Sequence, residues 1–239
     1  MTNINYFGIA KKIVEEKYPN CDGALMAGSI IRGEGTETSD IDLIIYDDNI
    51  AKGYRESYYF DGVPIEVFVH SKKSFEYFFD FDCKKKMPSL PVMVMESRIV
   101  KDTKYFEELK HRASEIYQIG PGKLQKSEID FMRYFITDLK DDLIGSNDEF
   151  ETILIANELL VKLHEFYLLT NNKWIGRSKW IKRSLSKYDD EFEIKFEKIF
   201  LDFYSTREKS ILLNLIAEIL LPYGGDYFEG FSIGKDDVE

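Results

Sequence analysis

The sequence contains two cysteines, Cys21 and Cys83, among its 239 residues. Two thiols cannot form a disulfide framework, and neither lies in a spacing typical of metal ligands. No apolar run approaches the roughly 20 residues that a membrane-spanning helix needs. The first twenty residues read as an amphipathic helix and lack the apolar core of a signal peptide. We therefore expect two reduced thiols in a cytoplasmic protein and no membrane partner.

Positive charge is also scarce, because 32 Lys and Arg stand against 43 Asp and Glu and give a net charge of −11. A protein that mainly grips a long nucleic acid usually carries a basic surface, since phosphate contacts dominate that affinity. We therefore do not expect nucleic acid as the main partner. An acidic surface is compatible with a cationic small substrate, although more often it simply keeps a protein in solution.

Repeats, low-complexity tracts and linkers rich in Gly, Ser or Pro are absent as well. Up to about residue 100, short β-branched and aromatic runs alternate with turn residues, as strands do. The dipeptide Asp61-Gly62 between two of these runs indicates a type I′ hairpin. The predicted strands lie at 21–26, 40–46, 55–60, 63–70 and 98–101, and the predicted helices at 3–18, 71–81 and 103–118.

From about Lys123 onward the periodicity is helical. The glycines and proline of Gly120–Gly122 mark the candidate boundary. The predicted helices lie at 124–143, 149–170, 178–186, 189–203 and 206–221, and the second is apolar nearly all round, which predicts the centre of a bundle. We expect an α+β fold, with a mixed sheet flanked by helices in residues 1–120 and a helical bundle in residues 121–239.

Asp40-Ile41-Asp42 is the first candidate site. Residues two apart in a strand point to the same face, so the two carboxylates project together while Ile41 and Leu43 face a core. Adjacent carboxylates repel each other and become favourable when a divalent cation lies between them. Mg²⁺ prefers such oxygen ligands. Taken alone, such a pair of aspartates is more often part of a solvated strand edge.

Gly28-Ser29 ends the preceding predicted strand, and ten residues separate Ser29 from Asp40. A turn of this type exposes backbone N–H groups that can hold phosphate, and Ser29 adds a hydroxyl donor. The intervening segment is rich in Gly, Thr and Ser, which suits a loop that folds back beside Asp40. Arg32 follows the turn, where it could pair with a phosphate or simply lie at the surface.

Glu66 lies inside an apolar predicted strand. With a period of two residues, Ile65, Val67 and Val69 share one face and Glu66 points to the other. A glutamate among apolar neighbours costs stability unless it is paired or binds a metal. A solvated Glu on a half-exposed strand fits the same pattern.

The order GS-x10-D-x-D followed by a strand-borne acid resembles the nucleotidyltransferase superfamily, whose fold is shared by DNA polymerase beta and poly(A) polymerases. The segment GSIIRGEGTETSDIDLIIYDD carries the resemblance. It is specific over roughly residues 22–70 and looser beyond them.

This resemblance implies a role for each candidate residue. Gly28 and Ser29 would hold the β- and γ-phosphates of a nucleoside triphosphate. Asp40 and Asp42 would bind one or two Mg²⁺ ions. Glu66 matches the third acidic position of the superfamily, which either completes a metal site or takes the proton from the acceptor hydroxyl.

The small-molecule members of the superfamily, such as the aminoglycoside and lincosamide nucleotidyltransferases, follow this domain with a helical bundle. The chain resembles them in size and in the order of its parts. A basic segment with both tryptophans, residues 173–183, stands out in an acidic half. With Ser178 as the predicted N-cap, Lys179 and Arg183 share a helix face. The resemblance implies that they reach the nucleotide, although a solvated basic face fits equally well.

The resemblance thus implies an enzyme that moves AMP from ATP onto a hydroxyl of a small molecule, such as an aminoglycoside-like antibiotic, and releases pyrophosphate. One alternative changes the acceptor to a protein side chain or an RNA end, as in the toxin–antitoxin-like branch. Another is a non-catalytic module that binds a nucleotide, which the presence of all three acids disfavours. The aromatic-rich hairpin at 54–69 is a candidate for pairing between subunits.

Overall fold

The computed structural model describes residues 4–234. The chain divides into two compact units, the first ending at Ile119 and the second beginning at Gly120. Within the described residues, the first unit holds a five-stranded mixed sheet flanked by helices, and the second unit is helical. This is the α+β class that the sequence predicts.

The sheet of the first unit is built from β1 (Gly23–Ala27), β2 (Ile41–Tyr46), β3 (Tyr54–Phe60), β4 (Val63–His70) and β5 (Arg98–Lys101). Its strand order is β3-β4-β2-β1-β5. Strands β2 and β4 run parallel, and the other neighbouring pairs are antiparallel. The parallel pair lies in the middle of the sheet, where both of its strands have neighbours on each side.

The turn between β3 and β4 is the predicted two-residue hairpin. Asp61 and Gly62 both have positive φ angles, 51° and 79°, as a type I′ turn requires. The turn sets the register of the two strands, so that Phe60 pairs with Val63 and Ser57 pairs with Glu66.

Both faces of the sheet are covered by helices. On one face Ile41, Leu43 and Ile45 are buried in a core shared with α1 (Tyr6–Lys17), as predicted. The opposite face shares a second core with Phe75 and its neighbours. The helices on this face are α3 (Lys72–Lys84), α4 (Ser89–Glu96) and α5 (Tyr105–Ile119).

Helix α4 is absent from the sequence-based prediction because its sequence contains Pro91 and follows Pro88. Pro88 is the N-cap residue, and Pro91 falls in the first turn. Backbone N–H groups of the first turn have no partner inside the helix, so proline costs little there. The Asp82 carboxylate accepts the backbone N–H of Leu90 at 2.7 Å, which helps to start the helix.

The second unit contains α6 (Lys126–Gly145), α7 (Glu149–Thr170), α8 (Trp180–Tyr188), α9 (Asp190–Thr206) and α10 (Lys209–Leu220), followed by a 3-10 turn at Leu221–Tyr223. Helix α7 has the predicted bounds and contacts α6, α8 and α10, in agreement with a central position. It is not buried all round, since Leu154 is about half exposed. None of the helices in residues 4–234 combines enough length with enough apolar character to span a bilayer.

The predicted start of α8 is wrong by one residue. Lys179 is its N-cap, whereas Ser178 was expected there. Ser178 instead adopts a left-handed conformation with φ 53°. A side-chain N-cap usually has an extended backbone, so the turn at Ser178 prevents its hydroxyl from capping the helix.

Candidate active site

Three carboxylates lie together at one end of the parallel strand pair. Asp42 of β2 is directly opposite Glu66 of β4, and Asp40 comes just before β2. One carboxylate oxygen from each residue lies within 4.8 Å of the others, and all three residues are half-buried. The structure therefore brings together the three acids that the sequence singles out.

The electrostatics of this carboxylate cluster disfavour three negative charges. The pKa of Asp42 is raised to about 7, chiefly by burial and also by the negative charges of Asp40 and Glu66, whereas the positive charges of Arg32 and Arg55 oppose the increase. Such repulsion is relieved when a cation lies among the carboxylates. Three hard oxygen donors at this spacing fit a divalent cation such as Mg²⁺.

Gly28 makes room for the Asp42 carboxylate. It is the first residue of a short helix, α2 (Gly28–Ile31), that follows β1 directly. Its φ is +84°, and a Cβ at this position would lie 1.8 Å from Oδ2 of Asp42. Both the backbone conformation and the contact therefore require glycine. The sequence-based interpretation assigned Gly28 to phosphate binding and did not foresee this steric role.

The loop after α2 folds back towards the carboxylate cluster, as its composition predicted. The Ser29 hydroxyl donates to Oγ of Ser39 at 3.2 Å, and Oγ of Ser39 also accepts the backbone N–H of Thr36 at 2.8 Å. The backbone N–H of Glu34 donates to the carbonyl of Ser29 at 2.9 Å. These bonds hold Ser29 and Asp40 at the two ends of a closed loop.

Arg32 lies between two carboxylates and not at the open surface. Its guanidinium is 2.9 Å from Glu34 and 3.4 Å from Glu96, and its side chain is 17% exposed. The positive charge is near enough to oppose the rise in the pKa of Asp42. Arg32 is thus fixed beside the carboxylate cluster, where it can contribute to the binding of an anionic group.

Two further polar residues of the site, Arg55 and Ser57, escaped the sequence-based interpretation. Arg55 donates to Oε1 of Glu66 through Nη2, and the Ser57 hydroxyl donates to the same oxygen at 3.5 Å. The turn at Asp61-Gly62 could have revealed them. A two-residue turn fixes the register of the hairpin, and that register puts Ser57 opposite Glu66.

Lys179 and Arg183 lie in the second unit, at α8. Lys179 is exposed, and the Arg183 guanidinium lies 4.7 Å from the ring centroid of Trp180. The neighbouring Lys182 is paired with Glu197 at 2.6 Å. The predicted contact of Lys179 and Arg183 with a nucleotide stays a prediction.

A mixed sheet that gathers three carboxylates beside a glycine turn is suited to metal-assisted phosphoryl chemistry. A family model described as a nucleotidyltransferase domain matches residues 9–155, which is more than half of the chain. The chain therefore belongs to this family. The matched region includes the carboxylate cluster and continues past Ile119 through α6 into the start of α7.

No curated protein matches the chain. Among solved structures, it is similar to a nucleotidyltransferase-like protein from Exiguobacterium sibiricum 255-15. The sequence identity is 13% and the TM-score is 0.49, and the alignment covers 90% of this chain and 74% of that chain.

Proposed function

We propose that this nucleotidyltransferase transfers AMP from ATP to a hydroxyl group of a small molecule and releases pyrophosphate. The observation that carries the proposal is the carboxylate cluster of Asp40, Asp42 and Glu66, which lies inside the region matched by the family model. The resemblance of the chain to small-molecule nucleotidyltransferases supports the choice of nucleotide and of acceptor class.

Asp40 and Asp42 are proposed to hold Mg²⁺. Their carboxylates provide the oxygen ligands that this ion prefers. Burial and, after it, the negative charge of Asp40 raise the pKa of Asp42, and a bound cation would offset both effects. When bound there, the ion supplies positive charge that offsets the negative charge building on the phosphoryl oxygens.

The turn at Gly28-Ser29 is proposed to bind the outer phosphates. The Ser29 hydroxyl donates to Ser39 over 3.2 Å, which is long for a bond between hydroxyl groups. Ser29 can therefore exchange this partner for a phosphate oxygen at little cost. Arg32 adds positive charge on the same side, and Lys179 and Arg183 are proposed as further nucleotide contacts from the second unit.

In the transfer step, the acceptor oxygen forms a bond to the α-phosphorus while the bond from that phosphorus to the β,γ-pyrophosphate oxygen breaks. The pyrophosphate leaves with its electron pair, and the acceptor hydroxyl loses its proton. Glu66, opposite Asp42 in the sheet, is proposed to orient the acceptor and receive this proton. A well-placed base contributes about 10²- to 10⁴-fold to the rate of such a step.

The proposed acceptor is a hydroxylated cationic molecule of the aminoglycoside type. The net charge of −11 supports this choice, because an acidic protein attracts cations and repels polyanions. The same charge disfavours an RNA end as the acceptor. A protein side chain remains the second candidate, in line with the toxin–antitoxin-like branch of the superfamily.

The test incubates the purified protein with Mg²⁺, each of the four common ribonucleoside triphosphates, and a panel of aminoglycosides, lincosamides and other hydroxylated small molecules. Pyrophosphate release and the mass of each acceptor are measured. We expect one acceptor class to gain a nucleoside monophosphate with ATP. Asp42→Asn should abolish the transfer of the nucleoside monophosphate. Asp80→Asn should preserve it, because Asp80 is an exposed aspartate on α3. Absence of transfer with every pair would contradict the proposal.

A further inference from the structure

Strand β3 forms one edge of the sheet and presents polar side chains on the same face as Glu66. Ser57 is directly opposite Glu66, and Arg55 is opposite Phe68, two residues further along β4. Residues two apart in a strand share a face, so Arg55, Ser57 and Glu66 project to the same side of the sheet. Diagonal neighbours of this kind lie within reach of a long side chain.

Both contacts to the Glu66 carboxylate fall on one of its oxygens. Arg55 donates to Oε1 through Nη2, and the Ser57 hydroxyl donates to Oε1 at 3.5 Å. Within residues 4–234, the two side chains that donate to Glu66 both use Oε1, and neither of them donates to Oε2. One oxygen of Glu66 is therefore anchored to β3, and the other is available to the carboxylate cluster or to a ligand.

Arg55 is itself held in place. Its guanidinium carbon lies 5.1 Å from the ring centroid of Phe68, a distance at which a cation and an aromatic face attract each other. The Arg55 side chain is 60% exposed, whereas that of Glu66 is 17% exposed. An exposed arginine on the edge strand therefore pairs with a carboxylate that is mostly buried.

We propose that Arg55 is a positioning residue that fixes Oε1 of Glu66 and thereby leaves Oε2 to act on the acceptor hydroxyl. This inference rests on the proposed function, because it gives Glu66 a part in the transfer step. Phe68 keeps the guanidinium in place, and Ser57 gives weaker support. Without Arg55, the Glu66 side chain can rotate among its rotamers, so fewer molecules at any instant hold it correctly.

The kinetic test compares Arg55→Met with Arg55→Lys. Residues that orient a catalytic group typically contribute about 10- to 100-fold to activity. We expect R55M to lower kcat by about that factor while the KM for ATP stays within about twofold, because the phosphate turn is untouched. R55K should fall between the wild type and R55M, since lysine keeps the charge but lacks the planar guanidinium.

Arg98→Met is the matched control. Arg98 also lies on an edge strand, with its guanidinium carbon 3.9 Å from the ring centroid of Phe7, but β5 is at the opposite edge of the sheet. Its partner in β1 is Met26, a member of the core on the α1 face. R98M should keep the wild-type kcat. If R55M also keeps it, the proposal is overturned.

A double-mutant cycle with Glu66→Gln separates positioning from other effects. If Arg55 acts through Glu66, R55M should cause no further loss of kcat in the E66Q background. An equal loss in both backgrounds would overturn the proposal. The same cycle is run on the urea midpoint of unfolding in EDTA. R55M should lower the midpoint of the wild type by more than that of E66Q, because the contact of Arg55 with Phe68 is lost in both backgrounds and the bond to Glu66 only in the first.

The unfolding cycle needs no turnover, so it separates two kinds of failure. If the wild type transfers no nucleotide to any acceptor, the proposed function fails, and the unfolding cycle still decides whether Arg55 and Glu66 are coupled. If the wild type is active but both cycles show no coupling, the positioning role fails and the proposed function stands.

Discussion

Asp42, a proposed metal ligand, shows how a single residue can oppose the stability of the folded protein. Its carboxylate is accommodated by Gly28, faces Glu66 in the neighbouring strand, and lies near Asp40. Burial and the neighbouring carboxylates raise its pKa to about 7, so the charged form is disfavoured in the folded protein. Residues that serve a site in this way often reduce stability in the absence of the ligand.

Asp42→Asn should therefore stabilise the metal-free protein and abolish its function. Above pH 7 the folded wild type holds an unfavourable charge, which Asn removes, so we expect a gain on the order of 2 kcal/mol at pH 8. The gain should shrink as the pH falls from 8 towards 4, because the folded protein then binds a proton at Asp42. Urea unfolding in EDTA at several pH values measures this.

The effect of Mg²⁺ on the melting temperature tests whether Asp42 binds the metal ion. Added Mg²⁺ should raise the melting temperature of the wild type and of Asp80→Asn, because a ligand that binds the folded state stabilises it. It should leave the melting temperature of D42N unchanged, and the transfer rate of D42N should fall at least about 10²-fold. An equal Mg²⁺ shift in D42N would remove Asp42 from the metal site.

His70 provides a pH-dependent contribution to stability away from the carboxylate cluster. It is 5% exposed, Nδ1 lies 3.1 Å from the Ser74 hydroxyl, and its ring packs 4.8 Å from that of Phe75. Burial lowers its pKa to about 4. The folded protein therefore favours the neutral ring, and this contribution is complete above the unfolded pKa of about 6.5.

As the pH falls from 6.5 to about 4, the wild type should lose on the order of 2 kcal/mol of stability through His70. His70→Gln should lack this part of the pH dependence, so its stability relative to the wild type should improve in acid. His111→Gln is the control, because His111 is an exposed histidine on α5. If the free energies of unfolding of the wild type and H70Q change by the same amount between pH 7 and pH 4.5, the prediction is contradicted.

At the scale of elements, local patterns predicted what local interactions determine. The bounds of α7 follow from its long apolar periodicity, and the turn at Asp61-Gly62 follows from residues that accept positive φ. Helix α4 was not predicted because proline usually interrupts a helix, whereas Pro91 lies in the first turn, where proline is tolerated. Burial of Ile41 and Leu43 opposite Asp42 followed from strand alternation alone.

The parts of the site that were not predicted from residue patterns depend on long-range pairing. The proximity of Asp42 and Glu66 requires β2 and β4 to be parallel neighbours, and no local pattern specifies such a pairing. The superfamily resemblance supplied it instead. The ion pair between Arg32 and Glu96 joins residues 64 positions apart and had no local signal.

The β3–β4 hairpin is the element that carries Arg55 to Glu66, and its turn can be tested directly. Gly62 has φ 79°, where a Cβ costs about 1–2 kcal/mol. Gly62→Ala should therefore lower the free energy of unfolding by about 1 kcal/mol. Gly145→Ala is the matched control, because Gly145 ends α6 without a positive φ and a Cβ there meets open space. Equal stability of G62A and the wild type would contradict the prediction.

At the scale of the whole molecule, the reaction type and the proposed acceptor are supported by different observations. Nucleotidyl transfer follows from the family, whose model matches residues 9–155. Most of the second unit lies beyond this match, in α7 to α10. The proposal of a cationic acceptor therefore depends on a property of the entire chain, its excess of negative charge, and a whole-molecule property calls for a measurement that senses long-range electrostatics.

Salt provides that measurement. The screening length falls from about 10 Å at 0.1 M salt to about 3 Å at 1 M, so attraction between an acidic protein and a polycationic acceptor should weaken strongly. For an aminoglycoside acceptor we expect kcat/KM to fall by about tenfold between 0.05 M and 0.5 M KCl, mainly through KM. An uncharged hydroxylated acceptor, at the same concentrations of ATP and Mg²⁺, is the control for effects on the nucleotide and should change by less than about twofold. Equal salt dependence for the two acceptors would show that the acidic charge of the molecule does not select a cationic substrate.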